Sequence, residues 1–178
     1  MSTLIRRDRV VADGWAVADT SDGLPAQGDV IVPLSLWTAE RDRLVGHDGR
    51  VGVRLGPADD PAALAADIER LELVAIDFPH FADGRGYSTA RLLRERYRYI
   101  GELRAVGDVG RDQLFYLARV GFDAFALREG EDPSGALAAF ADFSEAYQAS
   151  VERPQPLFRR RALVAQPAAV NSHEGEVA

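Results

Sequence analysis

The chain has 178 residues, 47% of them hydrophobic and 28% charged, which suits one globular domain and argues against wholesale disorder. Its formal net charge of −7 and pI of about 5.0 argue against a general nucleic-acid binder, because neutralising phosphates requires a basic surface. The absence of cysteine excludes disulfides, cysteine nucleophiles, thiolate-held zinc and cysteine-ligated iron–sulfur clusters within this chain.

Two further absences narrow the classes of function. All 21 basic residues are arginine, so the chain offers no lysine for Schiff-base chemistry or for a P-loop. No apolar run approaches the roughly 18 residues that span a bilayer, and residues 1–14 lack the hydrophobic region of a signal peptide. We therefore expect a cytoplasmic protein that binds neither membrane nor nucleic acid.

The N-terminal region predicts a small β-hairpin. Residues 8–18 contain two apolar runs separated by Asp13-Gly14, a dipeptide that favours tight hairpin turns. Residues 19–28 then form a polar loop rich in Gly, Pro and Asp. We expect residues 1–28 to pack as a hairpin and loop on the domain that follows.

From residue 29 onward, apolar runs of strand length alternate with segments of helical pattern. Five strands are predicted, at residues 29–33, 50–55, 72–78, 103–107 and 122–127. Helices are predicted at residues 34–44, 62–71, 89–99, 111–120 and from 132 to about 150. Pro61 suits a first helical turn, and Gly121 suits the position just beyond a helix.

This alternation predicts an α/β domain with a mainly parallel sheet of about five strands built from consecutive βα units. The sheet can be half-barrel-like or open and doubly wound, and the pattern alone leaves both open. A complete eight-stranded barrel needs roughly 250 residues, more than this chain has. We expect one α/β domain at residues 29–151, followed by a C-terminal segment at residues 152–178.

Candidate catalytic residues follow from the strand ends, because α/β sheets and barrels bind ligands beyond the carboxyl ends of their strands. Asp77 and Asp108 follow neighbouring strands and can form a carboxylate pair, bind Mg²⁺, or simply cap loops. His80 can act as an acid or base, or be solvated. Arg104 lies within a strand and can point along the sheet or into a barrel interior. Three scattered histidines predict no metal site.

The stretch HFADGRGYSTARLLRER, residues 80–96, is a candidate anion site. Its glycines allow backbone N–H groups to converge, Ser88 is a good N-cap, and a helix N-terminus favours negative charge. Residues 80–104 contain six arginines and three acids, so positive charge concentrates here. The alternative is an ordinary turn in which Asp83 neutralises Arg85. The predicted anion-binding residues are Gly84, Arg85, Gly86, Ser88 and Arg91.

The C-terminal segment contains PQPLFRRR, an apolar anchor followed by cations. This pattern is typical of a partner-docking element, although a surface helix end can show it too. The residues predicted to dock a partner are Leu157, Phe158, Arg159, Arg160 and Arg161. Residues 168–178 have the composition of a disordered tail.

The run from 81 to 130, with DGRGYS, LRAVGDV and GFDAF as its most specific parts, resembles a bacterial family of unknown molecular function. Genes of that family typically lie beside those of the sulfite reductase haemoprotein and phosphoadenylyl-sulfate reductase. Its members are commonly labelled oxidoreductases involved in sulfite reduction. The resemblance implies a role in assimilatory sulfur metabolism and supplies no catalytic residues.

Three hypotheses of function follow. The resemblance favours an accessory protein of assimilatory sulfite reduction that acts with the haemoprotein or its electron donor, and an acidic surface suits such encounters. The second is an oxidoreductase with a flavin or nicotinamide cofactor held without covalent or thiolate anchoring. The third is a barrel-like scaffold without catalysis. The residues leave the cofactor unknown.

Overall fold

One mixed sheet organises the protein. The computed structural model describes residues 3–7, 9–141 and 151. The strands within this part are β1 Thr3–Arg6, β2 Arg9–Ala12, β3 Ala16–Val17, β4 Val30–Pro33, β5 Val51–Leu55, β6 Leu73–Phe78, β7 Glu102–Gly107 and β8 Ala124–Ala126. Their order in the sheet is β2-β1-β8-β7-β6-β5-β4-β3. Strands β3 to β8 are parallel, and β1 is antiparallel to both of its neighbours.

The helix predicted at 89–99 keeps its length of 11 residues but is shifted toward the N-terminus, and most of the other predicted helices are shorter in the structure. The described α-helices are α1 Leu34–Ala39, α2 Arg41–Val45, α3 Arg85–Glu95, α4 Leu114–Arg119 and α5 Pro133–Ala136. Short 3₁₀ segments cover Ser21–Gly23, Pro61–Leu64, Arg111–Gln113 and Leu137–Ala141. None of the helices in the described part of the chain has both the length and the hydropathy needed to cross a membrane.

Two helix predictions differ from the structure for local reasons. The helix predicted at 34–44 is broken at Glu40, whose backbone (φ −123°, ψ 31°) leaves the helical region. The helix predicted at 62–71 is only a 3₁₀ turn, although Pro61 does occupy its start and Asp60 caps it by accepting from the Ala62 N–H at 2.9 Å. The helix predicted from 132 to about 150 starts at Pro133 with Asp132 as its cap, and its α-helical part ends at Ala136. A 3₁₀ segment follows at Leu137–Ala141, and residues 142–150 lie outside the described residues.

The sheet is an open, curled half-barrel rather than a doubly wound sheet. From β3 to β8 every strand lies beside the next strand of the chain. Right-handed crossovers between such strands place all the intervening helices on one face, whereas a doubly wound sheet needs a reversal of strand order. The half-barrel alternative is therefore confirmed, and β4 to β8 occupy the five predicted strand positions to within two residues.

The antiparallel N-terminal pair is confirmed, but its turn is not at Asp13-Gly14. β1 pairs with β2, and Arg7, which follows β1, has φ 56°. Residues 13–15 instead connect β2 to β3, which are the two outermost strands. Four Cα–Cα steps keep Ala12 and Ala16 within about 15 Å, whereas seven strand spacings in a flat sheet would be about 34 Å. The sheet must therefore curl strongly.

The two faces of the sheet have separate apolar clusters. The larger core lies between the sheet and the helices, where Phe78, Leu93 and Phe122 are buried. The inner, concave face has a smaller cluster of Ile31, Leu73 and Ala75. This second cluster exists because β6 is buried on both faces, as its nearly continuous apolar sequence indicates.

Candidate functional site

At the carboxyl edge of the sheet, the predicted residue Asp108 contacts the loops that follow two other strands. The Asp108 carboxylate accepts from the backbone N–H of Phe81 at 2.9 Å and from the Arg128 guanidinium at 3.2 Å. Arg128 also donates to Glu131 at 2.8 Å, and these two carboxylates raise its pKa. Asp108 therefore ties the loop after β6 to the loop after β8.

Asp77 differs from Asp108 because its carboxylate is half-buried and makes no hydrogen bond or ion pair within the described residues. It lies against Gly107, where an added Cβ would be 2.8 Å from the Asp77 Oδ1 and 2.5 Å from the Phe78 carbonyl oxygen. Gly107 also has φ +94°. A glycine is thus needed for the backbone of β7 to pass this close.

The loop before α3 is organised by Asp83 rather than by Ser88. Helix α3 begins at Arg85, with Gly84 as its N-cap residue, four residues earlier than predicted. The Asp83 carboxylate accepts from the Arg85 backbone N–H at 3.1 Å and from the guanidinium at 2.9 and 2.6 Å. These bonds, with a smaller contribution from His80, lower the pKa of Asp83 to about 2. Arg85 therefore has a carboxylate partner of its own.

The remaining residues of this loop are not gathered around one point. Gly86 is buried against Phe78, and an added Cβ would lie 2.5 Å from the ring. Ser88 is exposed within α3, and Arg91 donates to Glu95 at 2.9 Å. Exposed His80 makes no side-chain hydrogen bond in the described part of the chain. Anion binding at this loop stays a prediction.

Arg104 points to the inner face and is 1% exposed. Its Nη1 donates to both oxygens of Asp13, at 3.0 and 2.9 Å, and its Nε donates to Glu102 at 2.8 Å. Its Nη2 lies 2.7 Å from the same Glu102 oxygen but in a geometry that makes no hydrogen bond. Arg6 approaches the other oxygen of Glu102 at 2.6 Å. A buried guanidinium thus keeps one unused donor group.

The strand register places three arginines in one row across the inner face. Pairing runs Arg54–Ala75–Arg104 through β5, β6 and β7, then through Ala124 of β8 to Arg6 of β1. Residues paired in this way point to the same face of a sheet. Alanines alternate with the arginines, so each long side chain has space on both sides. Layers of this kind, with side chains from alternate strands, fill the interiors of parallel barrels.

One segment of the chain covers this row, and we call residues 13–19 the inner strap. Asp13 binds Arg104, and Asp19 forms an ion pair with Arg54 at the other end. Between them, Trp15 packs on the inner cluster that includes Ala75, and the Arg50 guanidinium lies 5.0 Å from the centre of its ring. The inner strap thus places carboxylate, aromatic ring and carboxylate along the arginine row.

The sequence indicates that Arg104 can point along the sheet or into a barrel interior, and it does not indicate which residues bind it. Asp13-Gly14 favours a local hairpin turn, and this pattern gives no indication that Asp13 binds a residue 91 positions away. Arg54 and Arg6 alternate with apolar neighbours, which indicates strands without indicating their register. Only the pairing of β5, β7 and β1 places them in one row.

A second buried arginine organises the amino ends of β7 and β8. The Arg94 guanidinium donates to the carbonyl groups of Tyr99, Gly101 and Gly121 at 2.6 to 2.9 Å, and to the Asp123 carboxylate at 3.0 Å. Burial raises the pKa of Asp123, and it also raises that of Tyr99. These contacts anchor α3 to the sheet, far from the carboxyl edge.

A cleft of about 260 Å³ lies at the amino ends of β5 and β6. Its lining includes Trp37, Arg50, Arg70 and Glu72. This edge is opposite the one at which parallel α/β sheets bind their ligands, and Arg50 is already paired there with Asp29 and Glu72.

The remaining predictions concern partner docking and metal binding. The docking residues Leu157, Phe158, Arg159, Arg160 and Arg161 lie outside the described residues. Within the described ranges, no group of three or more His, Cys, Asp or Glu side chains is arranged to hold a metal ion.

Comparison with known proteins identifies the family. A family model described as "Bacterial protein of unknown function (DUF934)" matches residues 52–158, which include all but the first residue of β5, and β6 to β8, α3 and α4. The chain therefore belongs to this family. A search of curated proteins finds no match to this chain.

Proposed function

We propose that this member of the family is an accessory protein of assimilatory sulfite reduction, acting with the sulfite reductase haemoprotein or its electron donor. The proposal is supported by the resemblance of residues 81–130, which lie inside the region that the family model matches. In such a role the protein binds a redox partner through its surface and need not perform the electron transfer itself.

The observation that supports a protein-binding role is a set of exposed basic and apolar side chains in the last turn of α3 and just beyond it. We call this set the α3 patch, and its members are Leu92, Arg96, Arg98 and Ile100. Ile100 is 96% exposed and Leu92 is 42% exposed. Exposed apolar side chains between cations are typical of interaction surfaces. On a chain of net charge −7, such a basic area selects an acidic partner surface.

The backbone of the α3 patch adds a second argument. Arg98 has φ 53°, a left-handed conformation that non-glycine residues adopt at a cost of order 1–3 kcal/mol. Its guanidinium makes no hydrogen bond or ion pair within the described residues. A strained residue that presents an unpaired cation beside an exposed isoleucine fits selection for binding better than selection for stability.

Co-purification with the haemoprotein and with its electron donor tests the proposal. Ile100→Glu and the double variant Arg96→Glu/Arg98→Glu should lose the complex while keeping the circular dichroism and melting temperature of the parent. Val45→Glu is the matched control, because Val45 is 46% exposed on α2 and receives the same charge. Absence of any complex with the parent protein, together with unchanged sulfite reduction after gene deletion, would refute the role.

The C-terminal segment is the other proposed docking element. Residues 157–161 supply an apolar anchor followed by three arginines. Truncation after residue 151 separates the two surfaces: loss of the complex on truncation alone assigns docking to this segment, whereas loss in the Ile100→Glu variant alone assigns it to the α3 patch.

A second candidate function is an oxidoreductase with a flavin or nicotinamide cofactor, and Asp77 is the observation that favours it. An unpaired carboxylate at the carboxyl end of a central strand is suitably placed to act on a ligand. The visible spectrum of the purified protein and its thermal stability with FMN, FAD, NADPH, sulfite and phosphate test this function. A colourless protein with no stabilisation by any of these would rule it out.

A further inference from the structure

The inner strap has the chemical character of a bound ligand. It contributes a carboxylate to the buried Arg104, a planar ring to the inner apolar cluster, and a second carboxylate to Arg54. The sheet contributes the complementary groups, an arginine row with alanines between its members. Sheet and strap thus interact as a receptor and an occupant that belong to one chain.

The receptor is not fully satisfied by this occupant. Arg104 is 1% exposed, and its Nη2 makes no hydrogen bond, although it lies 2.7 Å from a Glu102 oxygen. Leaving a buried charged donor without a hydrogen bond is costly, so buried arginines normally use all of their donor groups. A carboxylate with two free oxygens, or a tetrahedral oxyanion, can accept from Nη1 and Nη2 together in a fork that Asp13 does not complete.

The strap is held in a way that permits release. Strand β3 pairs with β4 over only two residues, Ala16 and Val17, and lies at the edge of the sheet. The ion pair between Arg54 and Asp19 is solvent-accessible, and such pairs contribute little to stability. Ala18 is 2% exposed and belongs to the larger core, so the end of the strap near Asp19 stays anchored. Asp13 and Trp15 make the contacts on the inner face, so a ligand that replaces those two contacts can displace residues 13–15.

We propose that the inner face is a binding site for a small aromatic anion. Its carboxylate or oxyanion group takes the place of the Asp13 carboxylate at Arg104, and its planar body takes the place of Trp15. In the present structure the inner strap occupies the site, so the apparent affinity equals the intrinsic affinity multiplied by the fraction of molecules in which the strap is open. This inference does not depend on the proposed role in sulfite reduction.

Trp15 reports on this exchange directly. The chain has two tryptophans, so Trp37→Phe leaves Trp15 as the only one. Titration of this variant with benzoate at constant ionic strength should shift the emission maximum to longer wavelength in a saturable way, because Trp15 moves into water. Acetate carries the same charge without the ring, and should produce a smaller shift at equal concentration.

Arg104→Met in the Trp37→Phe background should abolish the benzoate shift. If that variant does not fold, Arg104→Lys replaces it and should weaken binding, because an ammonium cannot form the fork. Trp15→Ala, measured by calorimetry, should bind benzoate more tightly than the parent, since the ring no longer competes. Absence of a saturable shift in the reporter variant, or a shift that persists without Arg104, would overturn the proposal.

Discussion

Asp13 accepts two hydrogen bonds from Nη1 of Arg104, at 3.0 and 2.9 Å, across a separation of 91 residues, and a third from the backbone N–H of Trp15 at 3.1 Å. The arginine is 1% exposed and the aspartate side chain is 13% exposed. The ion pair therefore lies inside the curled sheet. It fixes the inner strap against a strand from the far end of the chain.

We expect Asp13→Ala to lower the free energy of unfolding by about 3 kcal/mol, because it removes the partner of the buried Arg104 Nη1 and leaves Glu102 as the remaining carboxylate beside this guanidinium. Urea unfolding followed by circular dichroism measures this loss. Asp42→Ala is the control: Asp42 is fully exposed and 3.7 Å from Arg41, so no measurable change is expected. Equal effects of the two substitutions would contradict the importance of the buried pair.

Gly107→Ala should destabilise the protein by about 2 kcal/mol, since alanine is strained at φ +94° and its Cβ would meet the Phe78 carbonyl oxygen. Gly14→Ala provides the comparison, because nothing lies within 4 Å of a Cβ there. That variant should stay within about 0.5 kcal/mol of the parent. Similar melting temperatures for both variants would argue against the close contact of β6 and β7.

Arg94→Lys should cost about 2 kcal/mol, because a single ammonium cannot donate to three carbonyls and a carboxylate in the planar arrangement of the guanidinium. Arg91→Lys lies on the same helix, and Arg91 is 66% exposed. It should therefore have almost no effect on chemical unfolding. A larger effect at residue 91 than at residue 94 would be inconsistent with the anchor at the amino ends of β7 and β8.

Asp83 should give the stability a defined pH dependence. Arg85 lowers the pKa of Asp83 in the folded state to about 2, from an ordinary value of 3.8. The stabilisation that Asp83 supplies is therefore complete above about pH 4 and is lost as the pH falls through about 2. The difference in unfolding free energy between the parent and Asp83→Asn should decrease as the pH falls through this interval. A difference that is constant from pH 5 to pH 2 would exclude the pairing with Arg85.

The central strands are predictable because they are buried on both faces and read as short apolar runs between turn residues. Leu73–Phe78 is the clearest of them. Asp13-Gly14 misleads for an instructive reason: the dipeptide does favour a hairpin turn, but the curl of the sheet allows the same residues to cross between its edges. The dipeptide thus favours a change of chain direction, but the strands that it connects are not paired with each other.

The candidate site, too, is predictable from the sequence only in part. Arg104 is recognisable as a possible interior residue because it is a charge within a strand of apolar neighbours. Its row with Arg54 depends on strand register, which a sequence pattern does not specify. At the loop before α3, Asp83 and Ser88 are both good capping residues, and the close packing of Gly86 on Phe78 decides between them by starting the helix early.

The position of β1 has a consequence for protein synthesis. β1 lies between β2 and β8, so during synthesis β1 has to wait for Ala124–Ala126 before its second edge is covered. Until then, the nascent hairpin exposes an unpaired edge that carries the apolar residues Leu4 and Ile5, which are buried in the finished fold. Translation must therefore have passed residue 126 before the half-barrel can form, and a chaperone that shields β1 and β2 would protect the chain during that interval.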